Sequence, residues 1–135
     1  MRNMDRSLGD GGMPLLAQLG LHFDRYGEGF VEATWTPTEL ACNPVGGVHG
    51  GVYGVIFDAA MNFAVNSALE SGDRGSTLDV SYQILRAPEA GTALAVRADV
   101  TRAARSVAFA ESRITDAAGD VIARAAATWA LRRKA

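Results

Sequence analysis

The apolar positions of the chain change period twice, and the changes mark out its elements. Pro14 followed by Leu15, Leu16, Leu19 and then Gly20 predicts a short helix with proline in its first turn. Residues 21–25 and 30–36 flank the turn sequence YGEG and predict a β-hairpin, with Val31, Ala33 and Trp35 on one face of its second strand. Turn-forming residues from Pro37 to Gly47 predict a loop. From residue 50 to 69 the period becomes helical. Val52, Val55, Ile56, Ala59 and Phe63 form an apolar stripe, while Gly51, Gly54, Asp58 and Asn62 line a different face.

Period two governs the rest. Leu78, Val80, Tyr82 and Ile84 share one side of a strand; Leu94, Val96, Ala98 and Val100 share one side of the next, after the turn PEAG. Strands over 106–115 and 121–131 are joined by AAGD. Connections of hairpin length predict an antiparallel meander for these final strands. Two strands, one long helix, then four strands predict an α+β fold, a curved antiparallel β-sheet wrapped around one long central α-helix. The expectation is a single domain over 1–135, with 1–12 as a flexible N-terminal segment. One helix covers only one face of a sheet. The small residues Ala93, Ala95, Ala108 and Ala110, expected at outward positions, predict that a partner chain covers part of what remains.

Composition narrows the classes. With 15 acidic and 13 basic residues and a net charge of −2, the chain has no electrostatic footprint for nucleic acid. Cys42 is the one cysteine, so no intrachain disulfide forms and a structural zinc site lacks its ligands; no metal or cofactor is expected, and a reducing, cytoplasmic setting is. Met1–Gly12 has no apolar core of the secretory kind. Asp58, Asn62, Asn66 and Ser67 interrupt the longest apolar stretch, which argues against a membrane span.

The candidate chemistry sits in NPVGGVHGG, residues 43–51, and in Asp58, nine residues after His49. This stretch resembles the Asn…His-Gly-Gly…Asp pattern of hotdog-fold acyl-CoA thioesterases, in the branch of the phenylacetate-pathway and hydroxybenzoyl-CoA enzymes. TLDVSYQILRAPEAG, residues 77–91, is similar to the same family's strand with a threonine or serine at its start. The likeness covers about residues 40–130 and departs from the pattern at Ile84, Pro88 and Ala104.

The resemblance implies a hotdog fold and hydrolysis of an aryl or short- to medium-chain acyl-CoA ester, and the residue types suit that reaction. A helix N-terminus offers unpartnered amides and a favourable dipole to a developing oxyanion, and glycine leaves the approach open, which points to Gly50 as donor and to Gly51 as its clear neighbour. Asp58 is the expected base or nucleophile. Eight residues of helix span roughly 12 Å, so Gly50 and Asp58 of one chain do not reach one carbonyl carbon. The resemblance implies a homodimer that shares its active sites, either alone or as half of a dimer-of-dimers homotetramer. Asn43 is a candidate partner of the thioester or water, Thr77 an orienter of water beside Asp58, Asn62 a substrate contact, and Arg102 and Arg105 contacts for coenzyme A phosphates. His49 is equally suited to ordering the loop and to positioning substrate. Arginines in hairpin turns are commonly just solvated, and Trp35 and Trp129 read as packing. Two other readings stand beside this one: a non-catalytic acyl-CoA-binding or sensing hotdog protein, and a hotdog hydratase or dehydratase.

Overall fold

The computed structural model describes residues 1–88 and 91–134. A short 3-10 turn at Asp5–Ser7 precedes helix α1 (Pro14–Leu19) and strands β1 (Leu21–Gly27) and β2 (Phe30–Trp35). A second 3-10 turn, Glu39–Ala41, leads to helix α2 (Gly50–Ala68), and strands β3 (Arg74–Ile84), β4 (Leu94–Ala103), β5 (Val107–Thr115) and β6 (Val121–Arg132) complete the chain. The strands form one antiparallel sheet in the order β1-β2-β4-β5-β6-β3. It curves around α2, which touches every strand.

Local signals explain most of the boundaries. Gly20 ends α1 in the left-handed conformation, φ 93°, which glycine adopts without steric penalty. Gly29, φ 82°, turns the β1–β2 hairpin, and its amide donates to the buried Ser67 Oγ of α2 at 2.9 Å, fixing the hairpin on the helix. Trp35 and Trp129 are fully buried, as their reading as packing requires, and Trp35 Nε1 donates to the Leu19 carbonyl at 2.9 Å.

The structure corrects four expectations. Strands β4, β5 and β6 form a meander, but β3 lies outside it and pairs with β6 at the sheet's edge. Connection length between β3 and β4 therefore did not decide their pairing; the chain crosses from the edge to the middle of the sheet. Glu89 and Ala90 of the PEAG turn lie outside the described residues. Second, Leu78 does not share a side with Val80, Tyr82 and Ile84. A β-bulge between Thr77 and Asp79 leaves it as the extra residue, 62% exposed, and puts Thr77 opposite the buried Trp129.

Third, the helix has no single apolar stripe. Tyr53, Ile56, Phe57, Ala60 and Ala64 are buried, while Val52, Val55 and Ala59 are only partly so. A sheet wrapped around the helix buries more of its circumference than one flat layer does. Fourth, Ala108 and Ala110 face the helix and are buried; of the four alanines only Ala93 and Ala95 are exposed. The outer face instead carries charge: Arg25 grips Glu32 through Nε at 2.6 Å and Nη2 at 2.8 Å, and Arg97 bonds both Glu32 and Asp99 at 2.8 Å. Small residues fit either face, so their period alone does not say which.

The expected flexible segment is seated on the core. Gly9 and Phe23 exchange backbone hydrogen bonds at 2.9 and 2.7 Å, and the Met4 amide donates to Tyr26 Oη at 2.9 Å. At the other end of the chain the buried Asp73 ties β6 to the turn after α2. Its carboxylate accepts from the Lys134 amide at 2.7 Å, Arg133 Nη1 at 3.2 Å and the Glu70 amide at 3.3 Å. These bonds, the Lys134 amide first, hold the carboxyl below its usual value. A carboxyl lowered on folding stabilises above its unfolded pKa of about 3.9 and loses that contribution as the pH falls through the lower folded value. Asp73→Asn is therefore expected to lower the urea midpoint at neutral pH, and the gap from the native protein is expected to close in acid. A gap that stays constant down to acid pH would contradict this role.

Among the described residues, no helix is long and apolar enough to cross a membrane. Among the described residues, no group of three or more His, Cys, Asp or Glu side chains is placed to hold a metal ion.

Candidate active site

The loop before α2 is built around Asn43. Its Oδ1 accepts from the Val45 and Gly47 amides, both at 3.1 Å, and its backbone amide donates to the Gly47 carbonyl at 2.7 Å. Gly46, φ 88°, makes the tight turn. The His49 amide then donates to the Ala41 carbonyl at 2.8 Å, which sets the start of the helix.

His49 caps that helix. Its Nδ1 accepts from the Gly51 amide at 2.9 Å, so the neutral ring carries its proton on Nε2. A Cβ on residue 51 would stand 3.2 Å from the imidazole, a tight contact that glycine avoids. The next amide, Val52, donates to the His49 carbonyl at 3.0 Å. Gly50 is left over. Its N–H has no partner among the described residues, and the residue is exposed at the positive end of a 19-residue helix.

One side of α2 carries Gly50, Gly54 and Asp58 at intervals of four residues against β3. Tyr82 lies over the two glycines: its Oη donates to the Gly50 carbonyl at 2.9 Å, and a Cβ at Gly54 would come within 3.1 Å of its ring. Two turns along, Thr77 Oγ1 donates to Asp58 Oδ1 at 2.8 Å. The β3 bulge falls immediately after Thr77, at the point where its side chain must reach the helix. Asp58 is half-buried, and its Oδ2 has no partner among the described residues. It lines a cavity of 580 Å³ together with Asn62. Asn62 Oδ1 accepts from Asn66 Nδ2 at 2.6 Å.

The structure thus brings Asp58 with Thr77, Asp58 with Asn62, and Asn43 and His49 with Gly50 and Gly51. These two groups stay apart within one chain, as the roughly 12 Å of helix between Gly50 and Asp58 requires. Arg102 and Arg105 are exposed at the β4–β5 hairpin and share no contact with Asp58; their side chains have no partner among the described residues. Tyr82 was missed as a functional residue. Its period-two position on the inward side of β3 was the only signal for it. Arg2 and Met4 on the cavity wall were missed as well, because a contact more than 50 residues away in sequence leaves no local pattern.

A curved six-stranded antiparallel sheet around one long central helix is the hotdog fold. The chain belongs to the Thioesterase superfamily, whose family model matches residues 45–123. It is similar to a phenylacetic acid degradation-related protein from Ralstonia eutropha, described as a putative thioesterase, at 31% identity and a TM-score of 0.79, covering 90% of this chain and 93% of that one. A hypothetical thioesterase from Streptococcus pneumoniae, solved with coenzyme A, matches at 22% identity and a TM-score of 0.77 over 84% of this chain and 87% of that one. The PaaI protein of the phenylacetic acid degradation operon of E. coli matches at 22% identity and a TM-score of 0.79, over 92% and 86%. A comparison with curated proteins finds no match.

Proposed function

We propose that the protein is an acyl-CoA thioesterase that hydrolyses an aryl or short- to medium-chain acyl-CoA to the free acid and coenzyme A. The single observation that carries the reading is the free Gly50 amide on the helix that also holds Asp58. The amide receives the carbonyl oxygen as it becomes an oxyanion. Asp58 supplies the carboxylate that deprotonates the attacking water, or that attacks the carbonyl carbon itself to form an anhydride that water then cleaves; the carbon–sulfur bond breaks and the thiolate takes a proton. Thr77 holds Oδ1 of that carboxylate, leaving Oδ2 for the reaction. Asn43 and His49 shape the loop that presents Gly50, and His49 Nε2–H remains to meet substrate. Coenzyme A is supported as the thiol by the bound coenzyme A of the Streptococcus relative, and Arg102 and Arg105 are the proposed phosphate contacts.

The site is completed by a second copy of the chain. Strand β3 is an 11-residue edge with only Arg74 and Asp79 charged, the kind of open edge that pairs with another strand. Gly50 meets β3 at Tyr82, and Asp58 meets it at Thr77. An antiparallel pairing of two β3 strands about a two-fold axis between Asp79 and Val80 sets residue 82 of one chain opposite residue 77 of the other. Gly50 of each chain then faces Asp58 of its partner. The pairing of such dimers into tetramers and a cytoplasmic location are part of the same proposal.

The test is thiol release from a panel of aryl-, short- and medium-chain acyl-CoA esters. Turnover of at least one class is expected. Tight binding across the panel without thiol release would replace the hydrolase by a binding protein, and hydration of an enoyl ester without thiol release would replace it by a hydratase.

A further inference from the structure

The N-terminal segment supplies one wall of the cavity that holds Asp58. Met4 and Met13 come from this segment, Leu16 and Phe23 from α1 and β1, and Ala59 and Phe63 from α2. At 580 Å³ the space falls within the usual range for a small-molecule site. Polar side chains line both sides: Asp58, Asn62 and Asn66 follow one another along α2 at intervals of four residues, and Arg2, Asn3 and Ser7 come from the N-terminal segment. From Asp58 to Asn66 is roughly 12 Å along the axis.

Arg2 closes the end at Asn66. Its Nη1 donates to Asn66 Oδ1 at 2.8 Å, and its Nη2 donates to the backbone carbonyls of Glu70, at 3.2 Å, and Asp73. The guanidinium is thereby engaged with the protein. The three acceptors are neutral, so the guanidinium keeps its positive charge at that end of the cavity, held there by three of its five N–H groups. The segment that carries Arg2 is itself held, by the Met4–Tyr26 bond and by the paired backbones of Gly9 and Phe23.

We propose that this cavity is the acyl pocket, that it takes an acyl group of medium length lying from Asp58 toward Asn66, and that Arg2 sets the longest chain it accepts. The proposal rests on the thioesterase reading, of which it names the substrate class. The carbonyl carbon sits at Asp58, the acyl tail runs along α2 under the two methionines, and adaptable thioether side chains suit a wall that follows flexible chains. Arg2→Ala opens the far end. Ala59→Leu narrows the middle.

The experiment reads two quantities across a series of straight-chain acyl-CoA esters for the native protein and for both variants: thiol release, and equilibrium binding of the non-hydrolysable thioether analogue of each ester. Arg2→Ala is expected to raise the ratio of long-chain to short-chain kcat/KM by about tenfold or more, and Ala59→Leu to lower it by a similar factor, since one methylene in an apolar pocket discriminates on that scale. The binding optimum is expected to move in the same directions. An optimum that neither variant moves overturns the pocket assignment, whether or not the protein is a hydrolase. An optimum that moves in both variants without thiol release from any ester supports the pocket and overturns the hydrolase reading instead.

Discussion

Replacing Asp58 with asparagine is expected to reduce thiol release by about two to four orders of magnitude, the range for losing a positioned acid–base group. The amide has the shape of the carboxylate and keeps an oxygen to accept from Thr77 Oγ1, so the contact at 2.8 Å survives and the fold with it. What is lost is the negative oxygen at Oδ2, which attacks or takes the proton. The half-buried position of Asp58 makes a large stability effect unexpected. An unchanged melting temperature would confirm that the loss is chemical. Activity within a few-fold of native would remove Asp58 from the mechanism.

The second large effect is at Gly50. Proline is well tolerated at the first position of a helix, where the missing N–H has no intrahelical acceptor. The preceding residue, His49, already has φ −63° and ψ 130°, the extended conformation that proline demands of its neighbour. Gly50→Pro therefore deletes the proposed oxyanion donor with little cost to the helix, and a fall of about 10²- to 10³-fold in kcat is expected. Gly50→Ala is the control. A Cβ there meets only Ile84 Cδ1, at an ordinary 3.8 Å, and the N–H remains, so this variant is expected to lose far less. Equal losses in the two would mean that residue 50 acts through space in the site and not through its amide.

The sequence makes the elements more legible than their arrangement. The helix over 50–69, the YGEG hairpin and the inward sets Val31, Ala33, Trp35 and Leu94, Val96, Ala98, Val100 are local patterns, and the structure has them within a residue or two. The place of β3 is not local. A strand's partner depends on which edge remains free once β4, β5 and β6 have paired, and no spacing in the chain states that. The bulge at Leu78 was illegible for a related reason: one extra residue shifts the phase without changing the composition. Ala108 and Ala110 show the limit of small side chains, which satisfy an inner position against a helix as well as an outer one. In the candidate site, His49, Gly50 and Asp58 were readable through a motif, because a cap, an amide without a partner and a carboxylate follow one another along one helix. The wall made by Arg2 and Met4 was not readable. It is joined to α2 through a side-chain bond between residues 64 apart in sequence, Arg2 to Asn66.

In the proposed site Asp58 of one chain works with Gly50 of another, and mixed dimers show whether it does. A chain carrying Asp58→Asn and a differently tagged chain carrying Gly50→Pro are assembled together and purified through both tags. Sharing across the two-fold axis leaves one of the two sites with both groups intact, so the mixed dimer is expected to recover about half of native activity although each variant alone is nearly inactive. A mixed dimer no more active than either variant alone would rule out the shared site, since it would mean that both groups must come from the same chain.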